Sequence, residues 1–206
     1  QPGAAAAAAL TREPAPAGII GPMALRTICL LGGSGFVGTH LAAALARDGW
    51  RITVPTRNPA AAGHLAMIPT LRLVAADVHD PAQLAMLCAG QQAVVNLIGI
   101  LNEAGRNGHG FARAHAEFAR KLVEACGRQK VDRLLQVSAL NADADHGPSH
   151  YLRSKGQAER ILREESGPDL RCTIFQPSVI FGAGDDFINR FARLLRLPEG
   201  VRALMQ

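Results

Sequence analysis

At 206 residues the chain can bury one sizeable core, and with 48% apolar and 19% charged residues it reads as a single compact domain rather than a disordered chain. Its net charge of +5 favours anionic ligands such as phosphates and weak attachment to acidic surfaces, but one Tyr, one Trp and no aromatic-interleaved basic cluster argue against nucleic acid. No apolar run reaches the ~18–20 residues that cross a bilayer.

Residues 1–24 carry six alanines at 4–9 and then Pro14, Pro16 and Pro22, with no cationic stretch before the alanines. They are expected to be a disordered arm or leader, with Met23 a natural start. Residues 25–206 then form the domain. Short apolar runs predict strands at 27–31, 51–56, 71–76, 93–98, 134–137 and 172–176. Helices are expected at 36–48, after the Asp80-Pro81 cap, at 111–128 and at 152–165. Along 111–128, Phe111, His115, Phe118, Leu122 and Cys126 fall on one stripe. Strands that read as buried on both faces imply a parallel sheet covered by helices, so the fold class is α/β, a doubly wound Rossmann sheet. Cys29, Cys88, Cys126 and Cys172 are far apart and lack metal-ligand spacing. They are expected to be reduced core residues of a cytoplasmic protein, with no metal site.

Between the first strand and first helix lies Gly32-Gly33-Ser34-Gly35-Phe36-Val37-Gly38. The glycines at 32, 35 and 38 suit a tight turn, close backbone approach to a pyrophosphate, and close helix–strand packing. The helix start then faces the anion with unpaired N–H groups. In such folds an acidic residue about 20 positions on bonds the ribose 2′-OH of NAD. Here the position nineteen after Gly38 is Arg57, with no acid near it. A guanidinium pairs with a 2′-phosphate, so NADP(H) is favoured over NAD(H); otherwise Arg57 is a solvated surface residue. Asp77 and Val78 follow the third strand, and Asn96 to Gly99 end the fourth, where adenine and its ribose lie in doubly wound folds. Asp77 is equally a turn residue before a helix.

Ser138 ends the fifth strand, Tyr151 follows thirteen residues later, and Lys155 four after that. One helical turn places Tyr151 and Lys155 on the same face. An ammonium beside a phenol favours the phenolate, and Ser138 is suited to orienting a substrate carbonyl. Hydride then moves between the nicotinamide and the substrate while Tyr151 exchanges the proton.

The cradle, Ser138, Tyr151 and Lys155 together resemble the extended or atypical short-chain dehydrogenases/reductases, the NAD-dependent epimerase/dehydratase type. The segments 136–144 and 176–191 are similar to the narrower group that includes the NADPH-binding accessory subunit of respiratory complex I, its bacterial relatives and a ubiquinone-biosynthesis protein. The resemblance implies that Pro177, Ser178 and Val179 lie against the nicotinamide. It also implies that about a hundred further residues would normally cover the substrate, so the region here looks incomplete. His115 stands where many members carry an Asn, and its stripe position favours a packed core histidine over a proton relay. Two functions follow as expectations. One is an oxidoreductase or epimerase/dehydratase working through Ser138, Tyr151 and Lys155 on an unknown small molecule. The other is a structural NADPH-binding protein of a quinone-linked membrane complex or of ubiquinone biosynthesis, peripheral to the inner membrane. The latter would suit a basic helix bearing Arg190, Arg193 and Arg196.

Overall fold

The computed structural model describes residues 26–103 and 107–185; the expected N-terminal arm and the Arg190–Arg193–Arg196 helix lie outside them. Six strands are present: β1 (Thr27–Leu31), β2 (Arg51–Thr56), β3 (Leu71–Ala75), β4 (Ala93–Asn96), β5 (Arg133–Val137) and β6 (Arg171–Phe175). They form one sheet in the order β3-β2-β1-β4-β5-β6 with every pairing parallel. This is the doubly wound Rossmann architecture expected from the sequence. The strand order reverses between β1 and β4, and that reversal opens a crevice at their carboxyl ends.

Helices cover both faces. α1 (Phe36–Arg47) and a 3-10 turn (Gly63–Met67) flank one apolar layer built around Leu30, Ile52, Val54 and Leu65. On the other face pack α2 (Pro81–Cys88), α4 (Phe118–Arg128) and α5 (His150–Glu165), around Leu84, Phe118, Leu122, Leu134 and Leu162. Each of those side chains is essentially inaccessible, and burying one contributes roughly 1.5–3 kcal/mol. All four cysteines are free thiols; Cys29, Cys88 and Cys126 are buried and Cys172 is half-buried.

Three expectations are corrected. Burial on both faces holds for β4 and nearly all of β1 and β2, but β3 and β6 are edge strands in which exposed residues interrupt the half-buried ones. An edge strand lacks the second neighbour and the full helical cover that exclude water. The helix expected at 111–128 is also not continuous. It begins as α3 (His109–Ala112), passes through a π-turn at Arg113–Glu117, and continues as α4. The apolar stripe survives the interruption, because Phe111, His115, Phe118, Leu122 and Cys126 are all buried. The fourth strand ends at Asn96 rather than at 98, since the Asn96 side chain accepts the Ile98 N–H at 3.0 Å and turns the chain.

Candidate functional site

The turn from β1 to α1 is made by close backbone packing. Gly32 has φ +80°, a left-handed conformation that favours glycine, and faces the backbone of Leu97 and Ile98. A Cβ on Gly33 would lie 2.9 Å from Leu30, and one on Gly38 would lie 2.4 Å from the Gly33 Cα. Gly33 and Gly38 therefore press helix against turn. Gly35 differs, because a Cβ there would meet only the Gly32 carbonyl at 3.3 Å, and the residue is exposed. Gly35 is also the N-cap of α1, and no side chain caps that helix. By contrast, Asp80 caps α2 through the Ala82 and Gln83 amides, and Ser149 caps α5 through the Leu152 amide. The first N–H groups of α1 are left for an anion. Ser34, Phe36 and Val37 are half-buried around this opening.

At the carboxyl ends of β4 and β5 a second cluster converges. Ser149 starts α5 so that Tyr151 and Lys155 lie one turn apart. Lys155 is 4% exposed, and its Nζ donates to the Val137 carbonyl at 3.1 Å, the residue before Ser138. A Cβ on Gly99 would stand 3.2 Å from that Nζ, so the loop after β4 closes on it. Ser138 is buried, and its hydroxyl finds no hydrogen-bond partner among the described residues. An orphan hydroxyl costs about 1–3 kcal/mol, which a ligand oxygen would recover. The Tyr151 ring stands edge-on to Phe111 and His115, with centroids 5.9 and 5.5 Å away, and Lys155 Nζ lies 5.9 Å from its centre.

Burial lowers the Lys155 pKa to about 8, although Glu159 opposes the shift. Burial raises the Tyr151 pKa. This is the reverse of the lowering that a neighbouring ammonium alone produces. In this arrangement Nζ bonds to the Val137 carbonyl, and the loss of water around the phenol sets the direction. The His115 pKa falls to about 3, chiefly through burial and then through Lys155. The neutral ring accepts the Ile100 N–H at Nε2, 3.3 Å, which leaves Nδ1 to donate to the Ser154 hydroxyl at 2.8 Å. Ser154 donates onward to the Tyr151 carbonyl at 2.7 Å.

The other residues singled out from the sequence are placed less uniformly. Arg57 is exposed just past β2. Asp77 is exposed, and its carboxylate accepts the His79 N–H at 3.0 Å, a local turn bond, while Val78 packs against the core. Asn96 is 1% exposed with its amide used inside the protein, since Nδ2 donates to Gln136 at 2.8 Å. Pro177 is half-buried, and Ser178 and Val179 are exposed beyond β6. Three supporting residues were not foreseen. Gln136 links Asn96 to the same Val137 carbonyl that Lys155 uses. Buried Glu159 is paired with Arg163 at 2.7 Å and Gln176 at 2.8 Å. Glu103 accepts the amides of Gly108, Gly110 and Phe111 at the start of α3. Glu159 was legible only as one turn beyond Lys155. No local signal gives the other two.

No helix among the described residues is long and apolar enough to cross a membrane. Comparison with known proteins agrees with the geometry. Over 172 residues and 80% of its length, the chain is 30% identical to the mitochondrial NADH dehydrogenase [ubiquinone] 1 alpha subcomplex subunit 9 of Dictyostelium discoideum, covering 45% of that protein. It is 31% identical to the ceramide reductase of Caulobacter vibrioides, with 83% of this chain and 52% of that one aligned. The chain thus spans about half the length of these curated relatives. The UDP-glucuronic acid 4-epimerase of Bacillus cereus, solved with NAD, shares the fold at a TM-score of 0.65 and 17% identity, over 76% of this chain and 58% of that one. At that identity the likeness to the epimerase is one of fold. Residues 32–185, well over half the chain, match the profile of the family described as NAD(P)H-binding. The chain belongs to that NAD(P)H-binding family.

Proposed function

We propose that the chain binds NADP(H) across the β1–β4 crevice and supports proton-coupled hydride transfer, as the redox step of an oxidoreductase or epimerase/dehydratase. The observation that carries this reading is the convergence on one spot. Lys155 Nζ meets the Val137 carbonyl and Gly99, and the hydroxyl of Ser138, the residue after Val137, has no hydrogen-bond partner among the described residues. The cofactor fits the chain's own groups: Gly32, Gly33 and Gly38 let turn and helix close tightly, exposed Gly35 leaves room for a diphosphate, and the uncapped α1 offers it N–H groups. The nicotinamide, when bound, supplies or takes the hydride.

The protein's part is positioning and proton handling. Ser138 donates to a substrate oxygen, Tyr151 exchanges the proton with it, and Lys155 holds the cofactor ribose and the phenol in place. Arg57 pairs with the 2′-phosphate, and Pro177, Ser178 and Val179 wall the nicotinamide end. Val78 borders the adenine, and Gly99, beside Lys155, borders the ribose that Lys155 holds, through its backbone. Asp77 and Asn96 act through their turns rather than by direct contact, given the bonds they already make.

A second reading is favoured by the Dictyostelium relative, whose name makes it a subunit of a mitochondrial NADH dehydrogenase [ubiquinone]. On that reading the chain is a peripheral accessory protein in which bound NADPH stabilises the fold or its docking. Complementation by a Tyr151→Phe variant separates the two. Loss of the biological effect supports the enzyme, and full complementation with failure of a Gly35 variant supports the cofactor-stabilised scaffold.

A further inference from the structure

The segment that leaves β6 does not stay at the edge of the sheet. Its Pro177 carbonyl accepts the Leu140 N–H at 2.8 Å, which ties its start to the turn after β5. Residues 182–185 then close a small turn in which the Asp185 N–H donates to the Gly182 carbonyl and the Gly182 N–H donates to the Asp185 carboxylate, both at 3.1 Å. This turn rests on α1. A Cβ on Gly182 would stand 3.5 Å from the Phe36 ring, and His40 Nε2 donates to the Ala183 carbonyl at 3.0 Å. Phe36 supports that imidazole edge-on, with centroids 5.2 Å apart.

β6 lies three strands from β1, a span of roughly 14 Å at ~4.8 Å per strand. A segment that starts at the carboxyl end of β6 and lands on the first turns of α1 crosses the carboxyl ends of β5 and β4. Those strand ends carry Ser138, which donates its N–H to the Phe175 carbonyl, and Gly99 and Lys155, which stand against each other. We propose that residues 177–183 form a strap over the nicotinamide half of the cofactor crevice, and that His40, braced by Phe36, is the positioning residue that clasps it to the cradle helix. The clasp rests on the cofactor assignment above and adds a role for a residue that touches neither phosphate nor substrate. A dinucleotide cannot leave while the strap is clasped, because its nicotinamide end lies under the strap. A nucleotide lacking that end is free to depart.

The test is the release rate of NADPH and NADH from the protein and its His40→Ala and His40→Gln variants, by stopped-flow displacement, with ADP as the probe that stops short of the strap. Loss of one hydrogen bond predicts about three- to tenfold faster dinucleotide release in His40→Ala. ADP release stays unchanged, and His40→Gln, which keeps an N–H donor, stays near the parent rate. Hydrogen exchange of nucleotide-free His40→Ala is expected to quicken at the Gly182 and Asp185 amides. Unchanged dinucleotide release, or an equal rise for ADP, overturns the clasp. A parent protein that binds neither dinucleotide overturns the cofactor assignment instead, and the exchange result alone then decides whether His40 holds the segment.

Discussion

Gly38 sits so close to Gly33 that a Cβ on Gly38 would approach the Gly33 Cα to 2.4 Å, whereas a Cβ on Gly35, between them in sequence, would meet one carbonyl oxygen at 3.3 Å. The same loop thus holds two kinds of glycine. Gly38→Ala forces backbone apart and is expected to destabilise the fold by about 1–3 kcal/mol or more. Gly35→Ala is expected to leave the melting temperature almost unchanged while weakening dinucleotide binding at least tenfold, because in the proposed cofactor site its methyl would stand where phosphate oxygens approach. Thermal melts and nucleotide titrations of the two variants check the contrast. Comparable loss of stability in both would contradict it.

Arg57 is exposed beyond β2 with no acid beside it in the sequence. A charge-assisted bond to a 2′-phosphate contributes roughly 1.5–3 kcal/mol, so Arg57→Ala is expected to weaken NADPH binding about ten- to a hundredfold and NADH binding little. Equal losses for the two nucleotides remove the assignment.

Lys155 carries a pKa lowered by burial from 10.5 to about 8. Its unfolded form therefore binds more protons between pH 8 and 10.5, and stability contributed by this group rises with pH across that window. Below pH 8 the buried ammonium is a liability of roughly 1–3 kcal/mol. Lys155→Met is expected to raise the melting temperature at pH 7 and to lose that advantage by pH 10.5. The Val137 carbonyl keeps its bond from Gln136 in the variant, and Glu159 keeps Arg163 and Gln176. Melts at the two pH values check the sign.

His115 has the same sign in a more acidic window. Its folded pKa of about 3 lies below the ordinary 6.5, so the unfolded chain takes the proton first as pH falls. Stability from the neutral ring is complete above pH 6.5 and declines toward pH 3. His115→Asn is expected to start less stable at pH 7 and to lose about 1–3 kcal/mol less between pH 6.5 and 4. Urea unfolding at several pH values measures this slope.

Much of the architecture was legible because it is written in local pattern. Strands of four to six apolar residues, the Asp80-Pro81 start and the glycine spacing each reflect a short-range constraint. The π-turn at Arg113–Glu117 was not legible, since one wider turn leaves the buried stripe intact. Nor were the edge strands, whose alternating burial depends on having a neighbour on one side only. In the site, Tyr151 and Lys155 were legible from one helical turn and Ser138 from a strand end. Asn96 was read as facing the crevice, but it bonds inward to Gln136, forty residues away, a pairing that only the β4–β5 register creates. The contact of His40 with Ala183 spans 143 residues and follows from the path of the chain over the sheet.

Isothermal titration of NADPH and NADH into the folded chain tests the central claim most directly. The account predicts one saturable site per chain for each nucleotide, tighter for NADPH, and lost in Gly35→Ala. A well-folded sample that takes up neither nucleotide contradicts it.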